Sequence, residues 1–390
     1  MTTRRSKSVW FVLEGLNSFA ATFYFNYLFF FLRDNFGFTS RQNLWMSALH
    51  GLIYTFAAWQ GGRFGQRRGY FAALKLGWAG AAAAMLVGAV FRGSLAAQYV
   101  TVIGYTAFIC FTWPALEALV SHGASERELP KLVGIYNVVW AGAAALAIFS
   151  GGAAFDALGW PLMFWLPAIL FAGQCATVFW LERGEVEVAS TPPVSHQPEA
   201  AASQARISPQ TFLKMAWLGN PVGYIAGNTV IAAIPAVAQQ FHLSVTASGL
   251  FCSLWLFARL GAFVVLWRWT KWHYRFGWLV GAFVMLIASF AALLLAHQLW
   301  LLVLAQIGFG AAVGLLYYSS LFYAMDVGGE SQGDHGGLHE AFIGMGIFAG
   351  TATGAVALQF FPAAANAGTY AVGGLLVSGL GGLFWLRRKN

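Results

Sequence analysis

The chain has 390 residues, of which 59% are hydrophobic and 9% charged, against about 25% charged in an average soluble protein. That balance excludes an ordinary water-soluble fold and selects a polytopic membrane protein. The formal charge of +8 follows the membrane rather than gathering on one basic face, so no nucleic-acid partner is expected.

The N-terminus starts basic, with Arg4, Arg5 and Lys7, but runs into a long apolar segment containing Glu14 and Asn17. No small-residue cleavage site follows a short apolar core, so it reads as a retained first helix rather than a signal peptide. A membrane span needs about 20 predominantly apolar residues. Twelve segments qualify: 9–32, 43–62, 70–91, 96–120, 132–156, 160–181, 212–239, 246–267, 276–296, 299–324, 338–361 and 368–386. Between the sixth and seventh lies the one long polar run, rich in Pro, Ala, Ser, Gln and Glu, with little to bury. The predicted organisation is an N-terminal six-helix half at 1–183, a mobile linker at 184–210 and a C-terminal six-helix half at 211–390.

Lys and Arg accumulate in cytoplasmic loops. With both termini and the linker inside, 18 of the 22 Lys and Arg, Arg127 and Arg206 among them, are cytoplasmic, while Arg33, Arg41 and Arg92 lie outside and Arg259 within a span. Cys110, Cys175 and Cys252 all fall inside apolar segments and read as buried small hydrophobes rather than a disulfide framework. The halves echo each other, since Gly134 to Gly152 on span five aligns with Gly337 to Ala355 on span eleven at an offset of 203. The abundant glycine, 45 residues, allows close helix approach in lipid and needs no functional explanation at most positions.

Ionisable groups within a bilayer cost about 2.5 to 3.5 kcal/mol each, so one placed there faces a partner or an aqueous cavity. Glu14, Glu117, Arg259 and Glu340 stand out, and the three carboxylates are expected in the cytoplasmic half of the membrane. Two readings stand for them. Either they bind the coupling proton, or they latch onto cytoplasmic arginines, as Glu117 onto Arg67. Arg259 either binds an anionic solute or neutralises a carboxylate across the interface. Polar stripes at helical spacing mark inward faces: Glu14, Asn17, Tyr24 and Tyr27 on span one; Thr106, Cys110, Trp113 and Glu117 beside Pro114 on span four; Asn220, Tyr224 and Asn228 on span seven; Gln306, Gly310, Gly314 and Tyr317 on span ten. Their alternative role is hydrogen bonding between helices. His50 and Tyr54, four apart on span two, could join the cavity, although His50 reads first as a satisfied interior histidine.

Between spans two and three stands Gly62-Arg63-Phe64-Gly65-Gln66-Arg67-Arg68-Gly69-Tyr70. With the six-plus-six architecture and central linker, this resembles the major facilitator superfamily, whose loop motif reads Gly-x-Leu-x-Asp-Arg-x-Gly-Arg-Arg. Gly62, Arg67 and Gly69 match; Gln66 replaces the Asp and Tyr70 a basic residue, which implies a weakened or rebuilt conformational lock. Ala147 to Gly152 keeps two glycines of the Gly-Pro-x-x-Gly-Gly element of the family's drug-proton antiporters but lacks its proline, which weighs against multidrug antiport. The resemblance implies an all-α protein of twelve transmembrane helices in two six-helix pseudo-repeats, integral to a bacterial inner membrane and monomeric. It implies a symporter or permease moving a small-molecule substrate by alternating access, with a proton as second partner and the bilayer as solvent.

In the family, spans one, four, seven and ten line the central cavity, so the expected substrate cavity comprises Asn17, Tyr24, Trp113, Asn220, Tyr224, Asn228 and Tyr317. Proton-coupling candidates are Glu14, Glu117, Glu340 and Arg259, with Glu14 first. An efflux carrier or uniporter of the same fold is the alternative, and a non-transporting sensor a remote one.

Enzymatic motifs fail. His339-Glu340 begins like a zinc-protease helix, but Ile343 stands where the second His is required. Gly328 to Gly333, around Glu330, is glycine-rich without Gly-Lys-Ser/Thr, so no phosphate-binding loop is present. No metal, no cofactor and no catalytic activity are expected.

Overall fold

The computed structural model describes residues 2–124, 128–183, 207–327 and 332–389, and the secondary structure among them is helical throughout. Most of the linker, Arg127, Arg206 and the connector around Glu330 lie outside the described residues.

In the first part of the chain are α1 Thr2–Phe36, α2 Ser40–Arg68, α3 Tyr70–Val90, α4 Leu95–Ile109, α5 Thr112–Ser121, α6 Leu129–Leu158 and α7 Leu162–Glu182. The second part contains α8 Pro209–Gln240, α9 Val245–Cys252, α10 Leu254–Arg268, α11 Phe276–Leu295, α12 Leu299–Val327, α13 Gln332–Phe360 and α14 Ala367–Arg388. α4 and α5 form one span, Leu95–Ser121, and α9 and α10 another, Val245–Arg268. Twelve spans result, six on either side of residues 184–206. α8 starts inside the expected linker, because Ser208 accepts from the Thr211 N–H at 3.3 Å and Pro209 suits the first helical position, where no N–H is needed.

Ten spans are long and apolar enough to cross a membrane by length and composition; α1 and α2 are not among them. Their polar residues point inward instead. On α1, Asn17 donates to Thr112 Oγ1 at 3.0 Å and accepts from Trp78 Nε1 at 2.7 Å, tying three helices together. Farther along, Tyr27 to Leu32 are buried without interruption, as expected of a helix enclosed on all sides.

The connection between α2 and α3 is the single residue Gly69, at φ +91°, a conformation glycine adopts without a Cβ penalty. The break between α4 and α5 has a different cause. Pro114 cannot donate to the Cys110 carbonyl, and that oxygen lies 2.7 Å from where a Cβ on Gly61 would stand. The chain turns there and redirects α5.

Two seams join the first six spans to the last six. α2 and α13 run antiparallel at backbone contact: a Cβ on Gly51 would fall 2.4 Å from Phe348 N, and one on Gly344 would fall 2.5 Å from Thr55 N. α6 meets α9 and α10 likewise, with a Cβ on Gly152 falling 2.3 Å from Val245 O. Close approach of this kind gives van der Waals packing that lipid-facing leucines would prevent. At the end where α1 finishes, Arg33 Nη1 donates to the Pro235 carbonyl, and Asp156 Oδ2 accepts from Thr246 N at 3.2 Å.

A central chamber as candidate substrate site

Between the seams lies a chamber of about 180 Å³, lined from both sets of six spans. For comparison, an apolar cavity of about 150 Å³ accommodates benzene. Three carboxylates enter it from three helices: Glu14 from α1, Glu117 from α5 and Glu340 from α13. Glu117 interacts electrostatically with both of the others, and Glu14 with Glu340.

The three have different support. Ser18, one turn along α1, donates to Glu14 Oε1 at 2.7 Å, and the Tyr136 hydroxyl lies close to the same carboxylate. Tyr54 of α2 donates to Glu340 across the seam. No protein group donates to the Glu117 carboxylate among the described residues, and that side chain is half-buried, facing the chamber. The latch between Glu117 and Arg67 does not form. Arg67 is exposed at the end of α2, whereas Glu117 lines the chamber.

Arg259 projects from α10 into the same space and pairs with aromatic faces rather than a carboxylate. Its guanidinium carbon sits 4.4 Å from the Trp140 ring centroid and 5.0 Å from that of Trp255, and its Nε has no hydrogen-bond acceptor among the described residues. Desolvated cation–π contacts are worth about 2 kcal/mol each. Tyr224 and Tyr317 interact electrostatically with Arg259 and also with Glu117 and Glu340, so they stand between the basic and acidic poles.

Of the residues expected around the substrate, Trp113, Tyr224, Asn228 and Tyr317 line the chamber. Asn17, Tyr24 and Asn220 do not. Asn17 serves the Trp78–Thr112 network; Tyr24 packs on Tyr105 and Phe164, with centroids 4.8 and 6.0 Å away; Asn220 is buried with both amide atoms unpaired. Asn17→Ala would strand the Trp78 N–H in the interior at a cost of about 1–3 kcal/mol. The expected result is a lower thermal midpoint in detergent with unchanged substrate affinity.

His50 shares a 2.7 Å hydrogen bond with Thr106 and also faces the chamber. Sequence reasoning missed Tyr136, Trp140 and Trp255, because the substrate cavity was expected from spans one, four, seven and ten. The four-residue steps from Tyr136 to Trp140 and from Trp255 to Arg259 were the available signal. In the loop motif, Gly62 packs on Gly337, whose Cβ would lie 3.1 Å from Gly62 Cα. Gln66 and Arg67 are exposed, and Gly69 is the one-residue connection between α2 and α3.

No curated protein matches the chain significantly. Among solved structures, the human organic anion transporter MFSD10 (TETRAN) superposes with TM-score 0.70 at 17% identity, covering 99% of each chain. The nucleoside transporter NupG gives 0.71 at 12% identity over 99% of each chain. A bacterial homologue of the human drug peptide transporters PepT1 and PepT2 gives 0.71 at 15% identity over 100% of each. At such identities the likeness is one of fold. The sequence itself carries the family signal, because the family model of the Major Facilitator Superfamily matches residues 11–351. With twelve spans, a central chamber and a match over most of its length, the chain belongs to the Major Facilitator Superfamily.

Proposed function

We propose that the protein is a secondary transporter that moves a small organic solute together with a proton, residues 1–183 rocking against 211–390 to expose the chamber to each side in turn. The observation that carries this reading is the convergence of Glu14, Glu117 and Glu340 on one chamber with no basic partner among the described residues. Carboxylates facing each other in a low-dielectric space cannot all stay ionised, and they relieve the repulsion by taking up protons. A group that gains a proton on one side and loses it on the other couples solute flux to the proton gradient.

The location we infer is a bacterial inner membrane, with both termini and the linker cytoplasmic and the protein acting as a monomer; the distribution of Lys and Arg supports that orientation. The structural neighbours are described as transporters of organic anions, nucleosides and peptides, and that spread shows why fold alone does not name the solute.

The test is proton movement in proteoliposomes containing a pH-sensitive dye, screened over sugars, amino acids, organic acids and lipophilic cations, with Glu14→Gln alongside. A solute-dependent pH change lost in the variant is the expected result. Solute flux with no pH change would leave a uniporter and remove proton coupling.

A further inference from the structure

The carboxylates of the chamber can be neutralised by protons alone, but Arg259 cannot. A guanidinium keeps its charge in proteins, and an unpaired buried charge is costly. Arg259 is 6% exposed, has no carboxylate partner among the described residues, and leaves its Nε without an acceptor. Trp140 and Trp255 hold its planar head at 4.4 and 5.0 Å, which fixes the donors as a fork of the kind that takes a carboxylate through two parallel hydrogen bonds. It is therefore the one chamber charge that only a ligand can complete.

What surrounds the fork limits the rest of that ligand. Tyr317 meets Trp140 at a 5.2 Å centroid separation and Tyr224 at 6.4 Å, forming an aromatic wall beside the guanidinium. The whole chamber measures about 180 Å³, room for a body about the size of a benzene ring. Beyond the tyrosines the wall turns acidic at Glu117 and Glu340, where a second negative charge on the solute would meet like charges.

We propose that Arg259 is the anion-binding residue of the chamber and that the solute is a small monocarboxylate with a flat apolar body, its carboxylate on the Arg259 fork and its body against Trp140, Tyr224 and Tyr317. The transport consequence rests on the coupled-carrier reading above. One anion on Arg259 and one proton on the acidic cluster cross together without net charge. The binding claim stands independently of transport.

The test uses three ligands of one shape and different charge: benzoate, benzamide and benzamidinium. Binding to the purified full chain is measured by ligand-induced thermal stabilisation and by titration calorimetry, then repeated on Arg259→Gln and Arg259→Lys. Benzoate is expected to bind, benzamide at least tenfold more weakly, and benzamidinium not at all. Benzoate affinity should fall about a hundredfold in Arg259→Gln, with partial recovery in Arg259→Lys.

Benzamidinium binding as well as benzoate, all three failing to bind, or benzoate binding unchanged in Arg259→Gln would each overturn the assignment. The wild-type series decides the matter even if a variant fails to fold. The two readings fail separately. Charge-selective binding without flux in vesicles would sink the transporter reading and keep the anion site, whereas proton-coupled flux of cations alone would do the reverse. In vesicles, the benzoate uptake in excess of protein-free vesicles, which admit neutral benzoic acid unaided, should follow the pH gradient, ignore a potassium–valinomycin potential and be lost in Arg259→Gln.

Discussion

Glu117→Gln should reduce proton-driven accumulation of solute to the level of empty vesicles while sparing the exchange of internal for external solute. Of the three chamber acids, Glu117 alone lacks a protein donor among the described residues, since Ser18 holds Glu14 and Tyr54 holds Glu340. It is the freest to take and release a proton, and it interacts with both neighbours. The amide keeps the shape and abolishes the charge change, so solute can still be carried but no proton goes with it. The thermal midpoint should not fall, because a neutral amide relieves repulsion among facing acids. Separate assays of pH-driven uptake and counterflow check this. Loss of both activities together with a lowered midpoint would make Glu117 a structural residue.

The second large effect lies on the seam. Gly344→Ala places a Cβ 2.5 Å from the Thr55 backbone nitrogen and 2.8 Å from its Cα, contacts that can be relieved only if two helices part. Overpacking costs about 1–3 kcal/mol where side chains can yield, and backbone yields less. Both the midpoint and transport should drop sharply. The control is Gly381→Ala on α14, where nothing lies within 4 Å of the new methyl. That change should be neutral or stabilising by about 0.5–1 kcal/mol through helix propensity. Equal effects at the two positions would refute backbone contact as the cause.

The fold was legible in the sequence because the bilayer demands runs of fixed length, and ten such runs with two more polar helices before them, α1 and α2, leave little freedom around one polar segment. The loop motif around Gly62 and Gly69 added the family. The chamber was legible only in part. Helical spacing identifies a polar face but not what it faces: Tyr224 and Asn17 each lie on such a face, yet Tyr224 lines the chamber and Asn17 bonds two neighbouring helices. Glu117 shows the same limit: its place near the basic loops suggested a latch onto Arg67, yet the side chain lines the chamber and Arg67 is exposed. The pairing of Arg259 with Trp140 joins residues far apart in the chain, which periodicity within one span cannot reveal.

The one-residue connection at Gly69 has a mechanical meaning. α3 exposes Leu76, Leu86 and Val90 on its outer surface, where the acyl chains of the surrounding lipid lie. α2, on the other side of the joint, is packed backbone to backbone on α13. With no slack between them, any tilt imposed on α3 by a thinner or thicker bilayer is passed to α2 and from there to the α2–α13 seam. The acyl-chain length of the host membrane is therefore expected to bias the packing of that seam from outside, without touching the chamber.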